Sequence, residues 1–176
     1  MPALLVRAAA PADAPAIAAI YNEGIADRVA TFETRERTTD EVRPWLHDAL
    51  PFIVATVNDE VVGWARVAPY SDRCVYSGVG EHGVYVARAA RGHFVGRRLL
   101  DELCRAAEAA GLYKLTSRIF ADNEASIAAH TASGFDVVGV QRRHGRLDGE
   151  WKDCVLVERL IGEAAVAPGA LRGAAR

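Results

Sequence analysis

One short segment constrains the fold of this chain more than any other, because a strand, a turn rich in arginine and glycine, and a long amphipathic helix follow one another. The strand pattern covers residues 83–86, the turn contains Arg91 and Gly92, and the helix pattern covers 96–110. The free N–H groups at a helix start carry partial positive charge and bind anions, and glycine lets the backbone approach them closely. The segment therefore predicts either a phosphate-binding turn or a purely structural one.

Two common phosphate-binding motifs do not match this turn. A Walker A loop ends in Gly-Lys followed by Ser or Thr, and the chain contains no such tripeptide. A dinucleotide-binding fingerprint follows the first strand of a βαβ unit, whereas this turn lies in the middle of the chain.

The other apolar segments predict one mixed α/β domain over residues 1–162, followed by a frayed tail over 163–176. Asp13 and the pair Thr38/Glu41 are expected to cap the first two helices, the second of which is predicted to end before Pro51. The predicted element order is β-α-α-β-β-β-α-β-α-β-β, with strands over 4–7, 52–57, 61–67, 83–86, 115–120, 135–140 and 154–160, and a polar loop over 142–151.

The composition excludes several classes of protein. The 176 residues include 21 basic and 23 acidic side chains, so the net charge of −2 gives no general attraction to nucleic acid. The basic run 141–146 lacks interleaved aromatic residues. Three cysteines without a CxxC spacing argue against disulfides and zinc, and no segment approaches the ~20 apolar residues of a membrane helix. We expect a cytoplasmic protein without metal, nucleic-acid or membrane partners.

Two segments together carry a resemblance to a known family. Residues 91–96, Arg-x-x-Phe-x-Gly, are similar to the R/Q-x-x-G-x-G/A signature of the Gcn5-related N-acetyltransferases, the GNAT family. Residues 123–135 are similar to that family's N-x-x-S-x-x-x-Y/H-x-x-x-G-F segment. The resemblance extends over roughly residues 3–161 and implies a GNAT-like domain whose mixed central sheet has splayed middle strands and flanking helices.

Finer similarities narrow the subfamily. The chain resembles the phosphinothricin and methionine sulfoximine acetyltransferases at residues 20–22, 31–33, 81–86, 126–130 and 149–153. Within that group, the chain most resembles the arsinothricin N-acetyltransferases, at residues 27–34, 69–73 and 142–151. The resemblance implies an enzyme, expected to be a homodimer, that transfers acetyl from acetyl-CoA to the α-amine of a small amino-acid antibiotic and so confers resistance.

The resemblance also assigns residues to acetyl-CoA. The pantetheine arm would pair with the splayed strand at Val84, Tyr85 and Val86. The far side of the cofactor would contact Asn123 and Ser126. The pyrophosphate would lie on the turn formed by Arg91, Gly92, His93, Phe94, Val95, Gly96 and Arg97.

Phe94 departs from the family pattern, which has glycine at this position. A ring that points into the turn would hold the diphosphate away from the helix. A backbone that is already helical at Phe94 would direct the ring outward and leave the N–H groups available. We expect the second arrangement.

Acetyl transfer to an amine needs a base, since an α-amine is mostly protonated at neutral pH. Glu81 precedes the predicted strand that meets the thioester, and it matches the family's catalytic carboxylate. His130 stands where many relatives carry tyrosine, so it either protonates the leaving thiolate or serves only as a hydrogen-bonding helix residue. His82 is predicted to be structural, because strand alternation directs it to the face opposite Glu81.

Substrate anions require cationic donors, and a guanidinium donates two parallel hydrogen bonds to a carboxylate, phosphinate or arsonate. The candidates are Arg28, Arg66 and Arg73, each of which could instead be a solvated surface residue. An apolar wall around the substrate could be formed by Tyr21, Phe32 and Trp151, unless these belong to the core.

Two other functions stay open. One is acetylation of a different small amine or of a protein N-terminus, which needs no arginine for a substrate carboxylate. The other is a non-catalytic acyl-CoA-binding module, suggested by Phe94, although the presence of Glu81 and His130 argues against it.

Overall fold

The computed structural model describes residues 3–166. Its helices are α1 Ala14–Asp27, α2 Thr39–Val42, α3 Val95–Ala109, α4 Glu124–Ala132 and α5 Glu163–Val166. Its strands are β1 Leu4–Ala8, β2 Phe52–Val57, β3 Glu60–Pro69, β4 Val79–Val86, β5 Lys114–Phe120, β6 Asp136–Leu147 and β7 Glu150–Leu160.

All seven strands form one mixed sheet in the order β1-β2-β3-β4-β5-β7-β6. Every neighbouring pair is antiparallel except β4 and β5, which are parallel and pair only over Val79–Glu81 and residues 114–116. Beyond that point β4 stays with β3 as far as Val86, and β5 stays with β7 as far as Phe120. The sheet therefore consists of two halves that diverge at its centre, which confirms the predicted fold class.

The helices cover both faces of the sheet. On one face α3 buries Leu99, Leu100, Leu103 and Ala107, the apolar positions predicted from their helical spacing, against the strands. On the other face α1 packs Ile17 and Ile20 around Trp64 of β3. None of the helices within residues 3–166 has both the length and the apolar character needed to cross a bilayer.

The second predicted helix is shorter than expected. Thr38 accepts a hydrogen bond from the N–H of Glu41 at 3.3 Å, and the Glu41 carboxylate accepts one from the N–H of Thr38 at 2.8 Å, so the predicted cap is confirmed. The α-helix nevertheless ends at Val42 and a 3-10 turn follows over Arg43–His47. Pro44 supplies the reason, because it has no N–H to continue the α-helical bonding.

The prediction of a polar loop over residues 142–151 is wrong. β6 and β7 extend through this stretch and meet at a two-residue turn, Asp148-Gly149, with φ of 49° and 86°. An Asp-Gly pair is typical of such hairpins, because both positions need positive φ. The strand register is irregular between Gln141 and Gly145, so the sequence there lacks the alternation of apolar and polar residues expected of a strand. Part of the predicted frayed tail also differs, since Glu163–Val166 is helical, and 167–176 lie outside the described residues.

Gly80 tests how tightly the joint between the two half-sheets is packed. A Cβ atom there would overlap Cγ1 of the buried Val67 and lie 3.1 Å from Cδ2 of Leu115. We expect Gly80→Ala to lower the free energy of unfolding by about 1–3 kcal/mol, measured by urea denaturation. The control is Gly139→Ala in β6, where a Cβ would meet nothing within 4 Å. Equal effects of the two substitutions would contradict this packing argument.

Candidate active site

The gap between the two half-sheets opens into a cavity of about 640 Å³. Its walls come from the diverging end of β4, the start of α3, the helix α4 and the loop after α1. Eleven of the twelve predicted cofactor residues line it, namely Val84, Tyr85, Val86, Arg91, Gly92, Phe94, Val95, Gly96, Arg97, Asn123 and Ser126, and only His93 does not. The cavity thus combines apolar side chains with strand backbone that β5 leaves unpaired.

Phe94 adopts a left-handed backbone conformation, with φ 61° and ψ 12°, immediately before α3. Its side chain is directed outward, as predicted, and is 79% exposed. The expectation that the backbone is already helical at this residue is wrong, because α3 begins only at Val95. A non-glycine residue pays about 1–2 kcal/mol for this conformation. The first N–H groups of α3 stay available to an anion.

Arg91 is bound to other protein groups. Its Nη1 lies 2.7 Å from Oδ2 of Asp27, and its Nε donates to the carbonyl of Val86 at 3.0 Å. Asp27 also accepts from Arg88 at 2.6 Å, and these guanidinium groups, Arg88 first, hold the pKa of its carboxyl below the usual value. Arg91 therefore braces the turn against the end of α1. Sequence reasoning missed Asp27, because nothing local distinguishes it from Glu23, the other acidic residue of α1.

A smaller cavity of about 150 Å³ lies where β4 and β5 part. It shares Ala30, Val84, Tyr85, Asn123 and Ser126 with the larger cavity, so the two adjoin. Its other lining residues include Glu81, His82, Arg118 and His130. The structure therefore brings both predicted catalytic residues to one cavity, next to the predicted cofactor site.

Glu81 is paired with an arginine that sequence reasoning missed. Its Oε1 accepts a hydrogen bond from Nη1 of Arg118 at 2.5 Å. Arg118 lies on β5 and also donates from Nε to the side-chain oxygen of Gln141 at 3.1 Å. The one sequence signal was that Arg118 is the single charged residue of the predicted strand 115–120.

His130 and His82 form a buried pair with 3.0 Å between their Nε2 atoms. His130 Nδ1 lies 2.7 Å from the carbonyl oxygen of Ser126, so the neutral ring must donate from Nδ1 and accept at Nε2. His82 then donates from Nε2, and none of the described residues hydrogen-bonds to its buried Nδ1. Burial lowers the pKa of both rings, that of His82 to about 3 with a further contribution from His130. The role of His130 as an acid stays a prediction.

Two of the predicted substrate residues lie together on the Glu81 face of the sheet. Arg66 is paired in register with Gly83, and its guanidinium lies 4.8 Å from the ring centre of Trp45. Its buried Nη1 has no hydrogen-bond partner within residues 3–166. Burial lowers the pKa of Arg66. Tyr21 packs against Trp45 and Tyr85, with ring centres 5.5 and 5.0 Å away.

The other four predicted substrate residues make different contacts, and like Arg66 and Tyr21 they line neither cavity. Arg28 forms an ion pair with Asp148 at 2.8 Å. Phe32 packs against Phe120, Arg73 stacks on Tyr76, and Trp151 is covered by Arg146. Within residues 3–166, no group of three or more His, Cys, Asp or Glu side chains is placed to hold a metal ion.

Comparison with known proteins agrees with this geometry. A model of the acetyltransferase (GNAT) domain matches residues 6–156. The chain belongs to the GNAT acetyltransferase family. It is 30% identical over 168 residues to the L-methionine sulfoximine/L-methionine sulfone acetyltransferase of Pseudomonas aeruginosa, covering 93% of this chain and 98% of that protein. It is 32% identical over 161 residues to a phosphinothricin N-acetyltransferase of Streptomyces coelicolor, covering 88% and 94%.

Among solved structures, yncA of Salmonella typhimurium with its cofactor acetyl-CoA is similar, with a TM-score of 0.88 and 30% identity over 96% of this chain and 99% of that one. The predicted family is therefore confirmed, and this GNAT enzyme is an acetyl-CoA-dependent N-acetyltransferase. The residues that line the larger cavity fit acetyl-CoA. The unpaired backbone of β4 offers hydrogen bonds to an extended amide chain, and the N-terminus of α3 offers N–H groups to a diphosphate.

Phe94→Gly tests whether the exposed ring obstructs the predicted cofactor site. Glycine adopts the same left-handed backbone without strain, so the turn should keep its shape. We expect the dissociation constant of CoA, measured by titration calorimetry, to change by less than about tenfold, or ~1.4 kcal/mol. A tightening well beyond tenfold would show that the ring blocks the site.

The buried histidine pair predicts a loss of stability in mild acid. His82 has a depressed pKa in the folded state, so it stays neutral at pH 5 while the unfolded chain takes up a proton below about 6.5. Stability from His82 is therefore present above pH 6.5 and lost as the pH falls, by about 2 kcal/mol at pH 5. Urea denaturation at pH 7 and 5 measures this difference.

His82→Gln should reduce that pH dependence, whereas His144→Gln, at an exposed position of β6, should not. An unchanged pH dependence in the His82 variant would contradict the prediction.

Proposed function

We propose that this acetyltransferase acetylates the α-amine of a small amino acid of the phosphinothricin, methionine sulfoximine or arsinothricin type, and thereby confers resistance to such antibiotics. The observation that carries this proposal is the position of Glu81. Its carboxylate faces a cavity of about 150 Å³ that adjoins the larger acetyl-CoA cavity. The named relatives that act on methionine sulfoximine and phosphinothricin support the substrate class.

Glu81 acts as the base in this proposal. Its carboxylate accepts a proton from the substrate ammonium, directly or through a water molecule, so that the amine gains a free lone pair. Acetyl-CoA supplies the acetyl group as an activated thioester. A backbone N–H of β4 near Val86 donates to the carbonyl oxygen on which negative charge develops. His130 is proposed to assist departure of the thiolate, which requires a change from the tautomer described above.

Where the substrate carries a phosphinate-like or arsonate-like group, as phosphinothricin and arsinothricin do, that group is proposed to bind Arg66. Its unpartnered Nη1 supports this, because a buried guanidinium N–H without an acceptor is costly and an anion would satisfy it. The neighbouring ring of Tyr21 would cover the apolar part of the substrate. Arg28, Arg73, Phe32 and Trp151 stay predicted contacts, and the homodimer and cytoplasmic location stay predictions from the resemblance.

Two measurements test the proposal. Thiol release from acetyl-CoA, followed with phosphinothricin, methionine sulfoximine and arsinothricin, identifies the substrate, and product masses identify the acetylated amine. A comparable or higher rate with simple amines than with all three amino acids would overturn the substrate class.

Glu81→Gln should lower kcat by about 10²–10⁴-fold, because glutamine has the same shape but cannot accept the proton. Affinity for CoA should be retained. The matched control is Glu60→Gln, at the exposed first residue of β3, which should behave as the native enzyme. Near-native turnover of the Glu81 variant at pH 7 would remove this residue from the mechanism.

A further inference from the structure

The ion pair between Arg118 and Glu81 stands at the point where the two half-sheets part. Both side chains line the smaller cavity and are only partly exposed, 33% for Arg118 and 39% for Glu81. Arg118 donates to Glu81 from Nη1 and to Gln141 from Nε. The pair thus presents one positive and one negative group to the same small volume, from adjacent strands β5 and β4.

An α-amino acid carries the complementary pair of charges. Its carboxylate and its ammonium are attached to one carbon atom, so they lie side by side as Arg118 and Glu81 do. In a head-to-tail arrangement the substrate carboxylate faces the guanidinium and the ammonium faces the carboxylate of Glu81. Charge-assisted hydrogen bonds of this kind are the strong ones, and guanidinium is well shaped for a carboxylate.

We propose that Arg118 binds the α-carboxylate of the substrate, and that this contact releases Glu81 from Arg118 to accept the ammonium proton. The inference rests on the proposed function. In the free enzyme Oε1 of Glu81 already accepts a hydrogen bond from Arg118. A substrate carboxylate replaces Glu81 at the guanidinium, so one ion pair is exchanged for two and neither charge is left unpaired.

The other arginines are less suited to this role. Arg28 is paired with Asp148, and Arg73 lies on an exposed loop over Tyr76. Arg66 lies on β3, one strand farther from β5 than Glu81, which leaves it available for the side-chain anion. Arg118 differs from all three because it lines the cavity that contains Glu81.

The exchange makes Arg118 a determinant of specificity. An amine without a carboxylate must separate Arg118 from Glu81 without supplying a replacement anion, so the native enzyme should discriminate against it. Removal of Arg118 should therefore harm amino-acid substrates and leave carboxylate-free amines unaffected or improved. A merely structural role of Arg118 would lower both activities together.

The experiment compares phosphinothricin with its decarboxylated analogue, 3-aminopropyl(methyl)phosphinic acid. We expect Arg118→Gln to lower kcat/KM for phosphinothricin by roughly 10- to 150-fold, mainly through KM, as expected for loss of one charge-assisted hydrogen bond. The value for the decarboxylated amine should be unchanged or higher, and KM for acetyl-CoA should not change. Arg118→Lys keeps the charge but not the paired donors, so its discrimination should be intermediate.

Arg35→Gln is the matched control, since Arg35 also pairs with a glutamate, Glu41 at 2.6 Å, but lies away from both cavities. It should retain native kinetics. If Arg118→Gln prefers phosphinothricin to its decarboxylated analogue as strongly as the native enzyme does, the role of Arg118 is overturned and the proposed function still stands. A native enzyme that does not prefer phosphinothricin to its decarboxylated analogue would overturn the proposed substrate class, and with it this inference.

Discussion

The short parallel pairing of β4 with β5 is the constraint on which the rest of the molecule depends. Three residue pairs join two half-sheets that otherwise hydrogen-bond to different neighbours. Ser117 strengthens the joint, because its hydroxyl donates to the carbonyl of His82 at 2.9 Å just where the strands part. Beyond it, backbone groups that a regular sheet would satisfy internally are left for a ligand. The fold thus creates its binding cleft by ending a pairing rather than by adding a loop.

The walls of the cleft are fixed by contacts between distant parts of the chain. The end of α1 is tied to the turn before α3 through Asp27, and the loop after α1 is tied to α4, since Asn123 donates to the carbonyl of Val29 at 3.0 Å. Asn123 also caps α4 by accepting from the N–H of Ser126. One asparagine therefore sets both the start of a helix and the position of a wall shared by the two cavities.

Local signals in the sequence predicted most of the elements and the general place of the site. Each of these signals lies within a few consecutive residues. Examples are the cap formed by Thr38 and Glu41, the spacing of leucines in α3 and the turn after β4. The features that were missed join residues far apart in the chain. Arg118 meets Glu81 across 37 positions, and Asp27 meets Arg91 across 64. Both final strands were predicted, but their continuation through 141–153 was missed for another reason, since irregular register removes the period of two on which strand prediction depends.

The brace between Arg91 and Asp27 has a consequence for the way the enzyme attracts its anionic cosubstrate. Asp27 offsets positive charge on Arg88 and Arg91, so the turn is less cationic than its arginines suggest. A diphosphate bound at this predicted site would therefore depend more on direct contacts with backbone N–H groups and less on a field that extends into solvent. Mobile ions screen distant charges beyond about 8–10 Å at physiological ionic strength but hardly weaken such direct contacts. Recognition built in this way is expected to persist in concentrated electrolyte, where steering by exposed charges fails.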